Sequence, residues 1–131
     1  MIESSDRNAL ILYRLNQAFE NIELARFLLR NEKLEVAANR IYYGMFYVVT
    51  ALALKYKYET SKHSQLIGWF NQEFIAKGKV NQDLGRILKN AFKNRTKGDY
   101  DAYIQFSIPE IESMIIEMER FIIEIEKLIS L

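Results

Sequence analysis

The feature that most constrains the fold is an apolar stretch in the first half of the chain. Residues 37–54 form the most apolar part of the sequence and include one charged residue, Arg40. A helix that is apolar nearly all round is normally surrounded by other helices. The stretch is shorter than the roughly 20 apolar residues that span a bilayer. We therefore interpret it as the core helix of a small helical bundle.

The composition is that of an ordinary globular chain, and it excludes several chemistries. With 131 residues, 50% of them hydrophobic and 27% charged, the chain is expected to form one domain over residues 1–131. The formal net charge of +1 excludes a bulk attraction to nucleic acid, so such binding would require a local basic patch. The absence of cysteine excludes disulfides, thiolate metal sites and a cysteine nucleophile. Because no targeting segment is recognisable, we expect a cytoplasmic protein.

The apolar periods before and after the core helix predict an all-α, five-helix up-and-down bundle. Apolar residues at three- and four-residue steps predict helices over 6–30, 33–57 and 63–76. Asn81 predicts the start of a fourth helix that ends near Thr96, and residues 97–103 are expected to form an ordered loop. Ser107 and Glu110 fit a capping box that starts the last helix. The apolar seam of that helix consists of Ile111, Ile115, Met118, Ile122, Ile125 and Ile129.

A basic edge is predicted along the fourth helix. Arg86, Lys89 and Lys93 are spaced to lie on one helical face, and aromatic residues follow. A basic face beside aromatic rings can hold phosphate and stack a base. The alternative is that this face is simply the solvated side of an amphipathic helix. The candidate nucleotide- or RNA-binding residues are Arg86, Lys89, Lys93, Asn94, Lys97, Asp99, Tyr100 and Tyr103.

His63 is the only histidine of the chain. A single histidine cannot form a metal cluster, because a stable site needs several converging ligands. The five glycines are scattered rather than gathered into a phosphate-binding loop. We therefore expect neither a metal site nor a cofactor. His63 itself is either a capping or surface histidine at the start of the third helix, or a catalytic group.

Several segments together resemble the HEPN domain family of prokaryotes. Residues 38–46 (ANRIYYGMF) resemble the family signature Asn-Arg-x-Tyr-Tyr-Ala-x-Phe, and residues 62–64 are similar to its Lys-His-Ser segment. Residues 95–100 resemble its Arg-x-x-x-Asp-Tyr pattern. The resemblance covers roughly residues 24–128. It implies an all-α bundle that forms a homodimer and associates with nucleotides or RNA, often beside a small nucleotidyltransferase in a toxin–antitoxin pair.

The resemblance also implies RNA cleavage as a reaction, but this chain lacks the histidine of the family's catalytic motif. Many members are metal-independent endoribonucleases whose motif is an arginine, four to six residues, and then a histidine, with the motifs of two protomers facing each other. Arg95 matches the arginine. Counted from Arg95, the residue after four intervening residues is Tyr100, the residue after five is Asp101 and the residue after six is Ala102. None of these three is a histidine, so this chain lacks the second residue of the motif.

The missing histidine determines the leading hypothesis. RNA cleavage through the 2′-hydroxyl needs a group that moves a proton near neutral pH, and histidine suits that role. Tyrosine is mostly protonated at that pH and a free aspartate is mostly ionised. The sequence therefore favours a non-catalytic HEPN-like module. It would act as a dimer and bind RNA, a nucleotide or a nucleotidyltransferase partner through the edge formed by residues 86–103.

Two other functions remain open on sequence grounds. An endoribonuclease toxin would use Arg95 with His63 or Tyr100, provided that folding brings them together. A structural dimerisation module would use the apolar seam of the last helix as its interface. Light scattering of Ile115→Glu and Ile122→Glu variants tests this interface, unless those positions are core, in which case the charge would unfold the protein.

The core helix is expected to contribute to the site at its polar beginning. Arg40 and Tyr43 are candidates to line a crevice beside Arg95. Alternatively, an acidic partner on another helix holds Arg40, and Arg95 forms a structural ion pair with Asp99.

Overall fold

Five helices form the described part of the chain in the computed structural model. The structure describes residues 3–100 and 105–130, and the side chains of these residues except 97–100. The helices are α1 (Ser4–Arg30), α2 (Leu34–Lys55), α3 (His63–Phe70), α4 (Gln82–Tyr100) and α5 (Ile108–Ile129). A π-helical segment, Asn71–Ile75, continues α3. The described residues contain no strand, which confirms the predicted all-α bundle of the HEPN type.

The apolar stretch is the centre of the bundle, as predicted. α2 packs against α1, α4 and α5. Its residues Ile41, Met45 and Leu52 are fully buried. Gly44 lies where α5 approaches closely, because a Cβ at this position would overlap the terminal methyl group of Met118. A larger residue at this position would have to displace the flexible end of the Met118 side chain.

The end of α4 differs from the prediction. The sequence predicts an ordered loop that starts at residue 97, but the helix continues through residues 97–100. The predicted end relied on the loss of apolar periodicity and on Gly98. A glycine inside a helix costs only about 1 kcal/mol relative to alanine, so it does not by itself end a helix. The remainder of the predicted loop, residues 101–103, lies outside the described residues.

The last helix has the predicted beginning and the predicted buried face. The Ser107 side chain accepts from the Glu110 N–H at 3.2 Å, and the Glu110 carboxylate accepts from the Ser107 N–H at 3.1 Å. Both halves of the capping box are thus present. The whole apolar seam of α5 is buried inside the protomer. The seam is therefore core, and the hypothesis that it serves as a dimer interface is wrong.

Within residues 3–100 and 105–130, no helix is both long and apolar enough to cross a membrane.

Candidate functional site

Two adjacent tyrosines on α2 form the floor of the candidate site. Tyr42 is fully buried, Tyr43 is half-buried, and their ring centroids are 5.3 Å apart in an edge-to-face arrangement. Phe46 follows one helical turn after Tyr42, with ring centroids 6.0 Å apart. Because residues four apart share a helical face, α2 presents a continuous aromatic surface here.

His63 reaches this surface from the first residue of α3. Its ring stacks on Phe46 with centroids 4.0 Å apart and planes 16° apart. Its Nδ1 atom lies 2.9 Å from the Tyr42 hydroxyl oxygen, within hydrogen-bond distance. The ring is thus oriented by one stacking contact and one hydrogen bond.

Arg95 reaches the same tyrosines from α4. Its guanidinium carbon lies 5.7 Å from the Tyr42 ring centroid and 5.5 Å from the Tyr43 ring centroid. An Nη2–H group donates to the Tyr43 hydroxyl oxygen at 3.3 Å. The fold therefore brings Arg95 and His63 onto one pair of tyrosines, although the two residues lie on different helices. We call Tyr42, Tyr43, Phe46, His63 and Arg95 the tyrosine site.

A second guanidinium lies beside this site. The guanidinium carbon of Arg40 is 4.9 Å from the Tyr43 ring centroid, and the group donates to the Asn39 Oδ1 atom at 3.1 and 2.9 Å. None of the ion pairs within the described part of the chain includes Arg40, so its alternative assignment to an acidic partner is not seen there. Two cations thus lie next to the Tyr43 ring, an arrangement that favours an anionic ligand.

The surroundings of His63 and of Tyr42 both favour the neutral form of the side chain, although the two pKa values move in opposite directions. Burial, together with the nearby Arg95 charge, lowers the pKa of His63 below its ordinary value of 6.5. Burial raises the pKa of Tyr42 far above the usual range for a tyrosine. At neutral pH the pair is therefore a neutral imidazole hydrogen-bonded to a neutral phenol.

Comparisons with known proteins agree with this architecture. The family model described as "HEPN domain" matches residues 11–128. The chain belongs to the HEPN domain family. It is similar to a "UPF0332 protein" of Thermotoga maritima, with 40% identity over 125 residues that cover 95% of both chains. It is also similar to "Putative toxin MJ0142" of Methanocaldococcus jannaschii, with 33% identity over 101 residues, 77% of this chain and 69% of that protein.

The predicted basic edge of this HEPN protein is divided between two surfaces. Arg86 binds the Asp83 carboxylate at 2.8 Å and reaches across to Glu117 on α5 at 3.0 Å. Arg95 instead packs on α2. Residues 86 and 95 of α4 therefore do not form one continuous binding edge.

The Asp83 carboxylate is the centre of the surface on the α5 side. Hydrogen bonds from Arg86 and Arg120 lower the pKa of Asp83 to about 2, and Arg120 lies 2.9 Å away. These charges complement each other, which matches the alternative that this face is a solvated helix surface. Exposed ion pairs of this kind contribute little to stability.

The remaining predicted binding residues are partly described. Lys89 and Lys93 are exposed on α4, and Asn94 is half-buried with its Nδ2 atom 3.8 Å from the Met114 sulfur. Lys97, Asp99 and Tyr100 lie on α4, but their side chains are outside the described part, as is Tyr103 altogether. The hypothesis of an ion pair between Arg95 and Asp99 therefore falls outside the described residues.

Two members of the tyrosine site were missed as site residues. Tyr42 and Phe46 belong to the recognised signature, yet only Arg40 and Tyr43 were singled out from it. The four-residue spacing of Tyr42 and Phe46 was the available signal, because it places two rings on one helical face. What periodicity does not reveal is which face meets His63.

Metal-ligating groups do not cluster in the described part of the chain. Among those residues, no set of three or more His, Asp or Glu side chains is placed to hold a metal ion. The expectation that the site works without a metal remains a prediction.

Proposed function

We propose that this HEPN protein is a toxin-type endoribonuclease in which Arg95 binds the scissile phosphate and His63 moves the proton. The single observation that carries the proposal is the convergence of His63 and Arg95 on Tyr42 and Tyr43. This geometry favours the ribonuclease alternative over the non-catalytic module, because His63 provides the proton-transfer group that is missing after Arg95.

The reaction suited to these groups is transesterification within RNA. His63 removes the proton from a ribose 2′-hydroxyl, the 2′-oxygen bonds to the adjacent phosphorus, and the bond to the 5′-oxygen breaks. The 5′-oxygen leaves with a proton from water, so the products are a 2′,3′-cyclic phosphate and a 5′-hydroxyl. The guanidinium of Arg95, with Arg40 beside it, stabilises the charge that develops on the phosphate oxygens.

The tautomer of His63 is decisive for this role. For Nε2 to accept the proton, Nδ1 must carry a hydrogen and donate it to the Tyr42 oxygen. Tyr42 would then hold the imidazole in the productive orientation, as carboxylates do in other histidine-dependent sites. The lowered pKa of His63 keeps the ring unprotonated, and therefore able to accept a proton, at neutral pH.

The biological setting is inferred from relatives. The relative from Methanocaldococcus jannaschii described above carries "toxin" in its name. A second protein of that organism is also named as a putative toxin. It is 32% identical over 83 residues, which are 63% of this chain and 62% of that protein. We extend the proposal to a cytoplasmic homodimer neutralised by a nucleotidyltransferase partner, as the family resemblance implies. Exposed apolar side chains such as Leu12 and Phe27 on α1 and Ile116 on α5 are available for a protein contact.

A second candidate is the non-catalytic module that the sequence favoured. The observation in its favour is that no histidine follows Arg95 at the position where the family motif has one. In that case Arg40 and Arg95 would bind RNA or a nucleotide phosphate without cleavage.

Induced expression in a bacterial host tests the proposal. We expect the wild type to arrest growth and fragment cellular RNA, and both His63→Gln and Arg95→Lys to lose these effects. The lysine variant keeps the charge but loses the planar two-point donor geometry. Lys127→Gln is the control, because Lys127 is exposed and pairs with Glu124 on α5. Growth arrest that survives both site substitutions would overturn the ribonuclease proposal, and arrest lost only in Arg95→Lys would favour the non-catalytic module.

A further inference from the structure

A cavity of about 360 Å³ adjoins the tyrosine site and has no role in the reaction described above. His63 and Phe46, both members of the tyrosine site, also line this cavity. It lies between α1, the second half of α2 and the segment of residues 58–61 that precedes α3. Its volume is in the range of small-molecule binding sites. A ligand bound here would therefore contact the ring of His63.

The apolar lining of the cavity suits a flat ring. Phe46 contributes an aromatic side chain that His63 already holds in place. Tyr58 contributes a second one, and its ring stacks on Trp69 with centroids 5.0 Å apart and planes 9° apart. Ala53, Leu54 and Leu66 supply aliphatic surface. Pre-positioned aromatic side chains beside an aliphatic wall favour an aromatic ligand such as a nucleobase.

Besides His63, the polar lining consists of one anion, one cation and hydroxyl groups. Glu59 is exposed at the cavity, and no ion pair among the described residues includes it. Arg14 donates to the Gln17 Oε1 atom at 2.7 Å, and its guanidinium carbon lies 5.7 Å from the Tyr47 ring centroid. The Thr60 hydroxyl donates to Gln65 at 2.6 Å and accepts from the Lys62 N–H at 3.2 Å, so it is already engaged.

A glutamate in this position discriminates among the four bases. An ionised carboxylate only accepts hydrogen bonds, and its two oxygens match two neighbouring donors. On the Watson–Crick edge, guanine alone presents two neighbouring N–H groups, at N1 and N2. Adenine and cytosine present an amino group next to an acceptor, and uracil presents a single N–H between two carbonyl oxygens.

We propose that this cavity binds a guanine base, with Glu59 accepting from N1–H and N2–H, and with Arg14 binding the O6 atom or a phosphate of the same nucleotide. The guanine belongs either to an RNA or to a free guanine nucleotide. Assigning it to the RNA that is cleaved rests on the proposed function. If the guanine belongs to the cleaved RNA, cleavage is expected next to a guanosine, because His63 is part of the tyrosine site and also lines the cavity.

Calorimetric titration with GMP, AMP, CMP and UMP tests the pocket directly. We expect the wild type to prefer GMP by about tenfold or more, since one bidentate base contact gives discrimination of this order. IMP, which lacks the N2 amino group, is expected to bind less tightly than GMP. Trp69, the single tryptophan, stacks on Tyr58 in the cavity wall and provides an independent fluorescence signal of binding.

Glu59→Gln is the informative variant, and Glu112→Gln is its matched control. Both positions are exposed, so neither substitution disturbs the core. Glu59→Gln is expected to lose the preference for GMP, whereas Glu112→Gln on α5 is expected to retain it. Equal binding of all four nucleotides by the wild type, or an unchanged GMP preference in Glu59→Gln, would overturn the proposal.

The source of the base is resolved by a further titration with single-stranded oligoribonucleotides that contain one guanosine. Tighter binding of the oligonucleotide than of GMP, lost when its guanosine is replaced by adenosine, assigns the pocket to RNA. Tighter binding of GMP assigns it to the free nucleotide. An oligonucleotide affinity that is unchanged by the replacement counts against binding of RNA in this pocket. The titrations involve no cleavage. Absence of ribonuclease activity would therefore overturn the proposed function alone, and absence of guanine preference would overturn the pocket alone.

Discussion

The imidazole of His63 is held in surroundings that disfavour its protonated form. It stacks on Phe46, meets the buried Tyr42 hydroxyl and lies within the field of the Arg95 cation. Each of these features is a property of the folded state, because unfolding separates the helices that carry them. The pKa of His63 therefore differs between the folded and unfolded chain, and stability must depend on pH through this residue.

The direction of that pH dependence is specific. The pKa of His63 in the folded protein lies below the unfolded value of about 6.5, so the unfolded chain binds the proton first as pH falls. The stability supported by neutral His63 is fully present above pH 6.5 and is lost as pH falls through the folded pKa. Thermal unfolding measured between about pH 8 and about pH 5 is expected to show a larger loss of Tm for the wild type than for His63→Gln. Parallel curves for the two proteins would contradict this assignment.

At the scale of elements, Gly44 marks a close approach of α2 to its neighbouring helices. Gly44 faces Met118 on α5 and the Asn21 side chain on α1, whose Cβ atom lies 3.3 Å from the position of an added Cβ. Protein interiors are close-packed, so an extra methyl group here must displace a neighbour. Gly68 on α3 is the opposite case, because a Cβ added there meets no described atom within 4 Å.

Alanine substitutions at these two glycines compare a crowded position with an open one. Gly44→Ala is expected to lower the free energy of unfolding by about 1–3 kcal/mol, the usual cost of overpacking, partly relieved by the flexible Met118 side chain. Gly68→Ala is expected to leave the free energy of unfolding unchanged or to raise it by up to about 1 kcal/mol, because alanine is the better helix former. Urea denaturation of both variants measures the difference. The packing account would fail if Gly44→Ala were as stable as Gly68→Ala.

Residue patterns predicted the helices more completely than they predicted the site. The core helix was recognisable because apolar residues on every face require burial, and the start of α5 because a capping box has a local signature. The end of α4 was not, since the small cost of Gly98 in a helix does not by itself end that helix. The convergence of His63 and Arg95 on Tyr42 and Tyr43 was not predictable by periodicity either, because it depends on how α3 and α4 are placed around α2.

At the scale of the whole molecule, the charges are nearly balanced, so the proposed binding of RNA must depend on local cations. The net charge is +1, and Arg86 is already paired with Asp83 and Glu117. Among the described side chains, the guanidinium groups of Arg40 and Arg95 lie beside the Tyr43 ring, at the proposed site.

The salt dependence of RNA binding tests this local arrangement. Each phosphate contact to a single strand contributes about −0.7 to the slope of log K against log salt concentration. Arg40→Gln is therefore expected to reduce the magnitude of this slope by about 0.7. Lys127→Gln removes the same charge near the end of α5 and is expected to leave the slope unchanged. If the two variants changed the slope equally, binding would depend on overall charge and not on the tyrosine site.

In the proposed reaction, His63 supplies the proton transfer that the family motif places after the arginine. Single-turnover cleavage of a guanosine-containing oligoribonucleotide, with binding measured in parallel, is the decisive measurement. We predict that His63→Gln lowers the cleavage rate constant by about 10²–10⁴-fold, the usual contribution of general acid–base catalysis, while affinity for the RNA changes little. Cleavage by His63→Gln at the wild-type rate would contradict the claim.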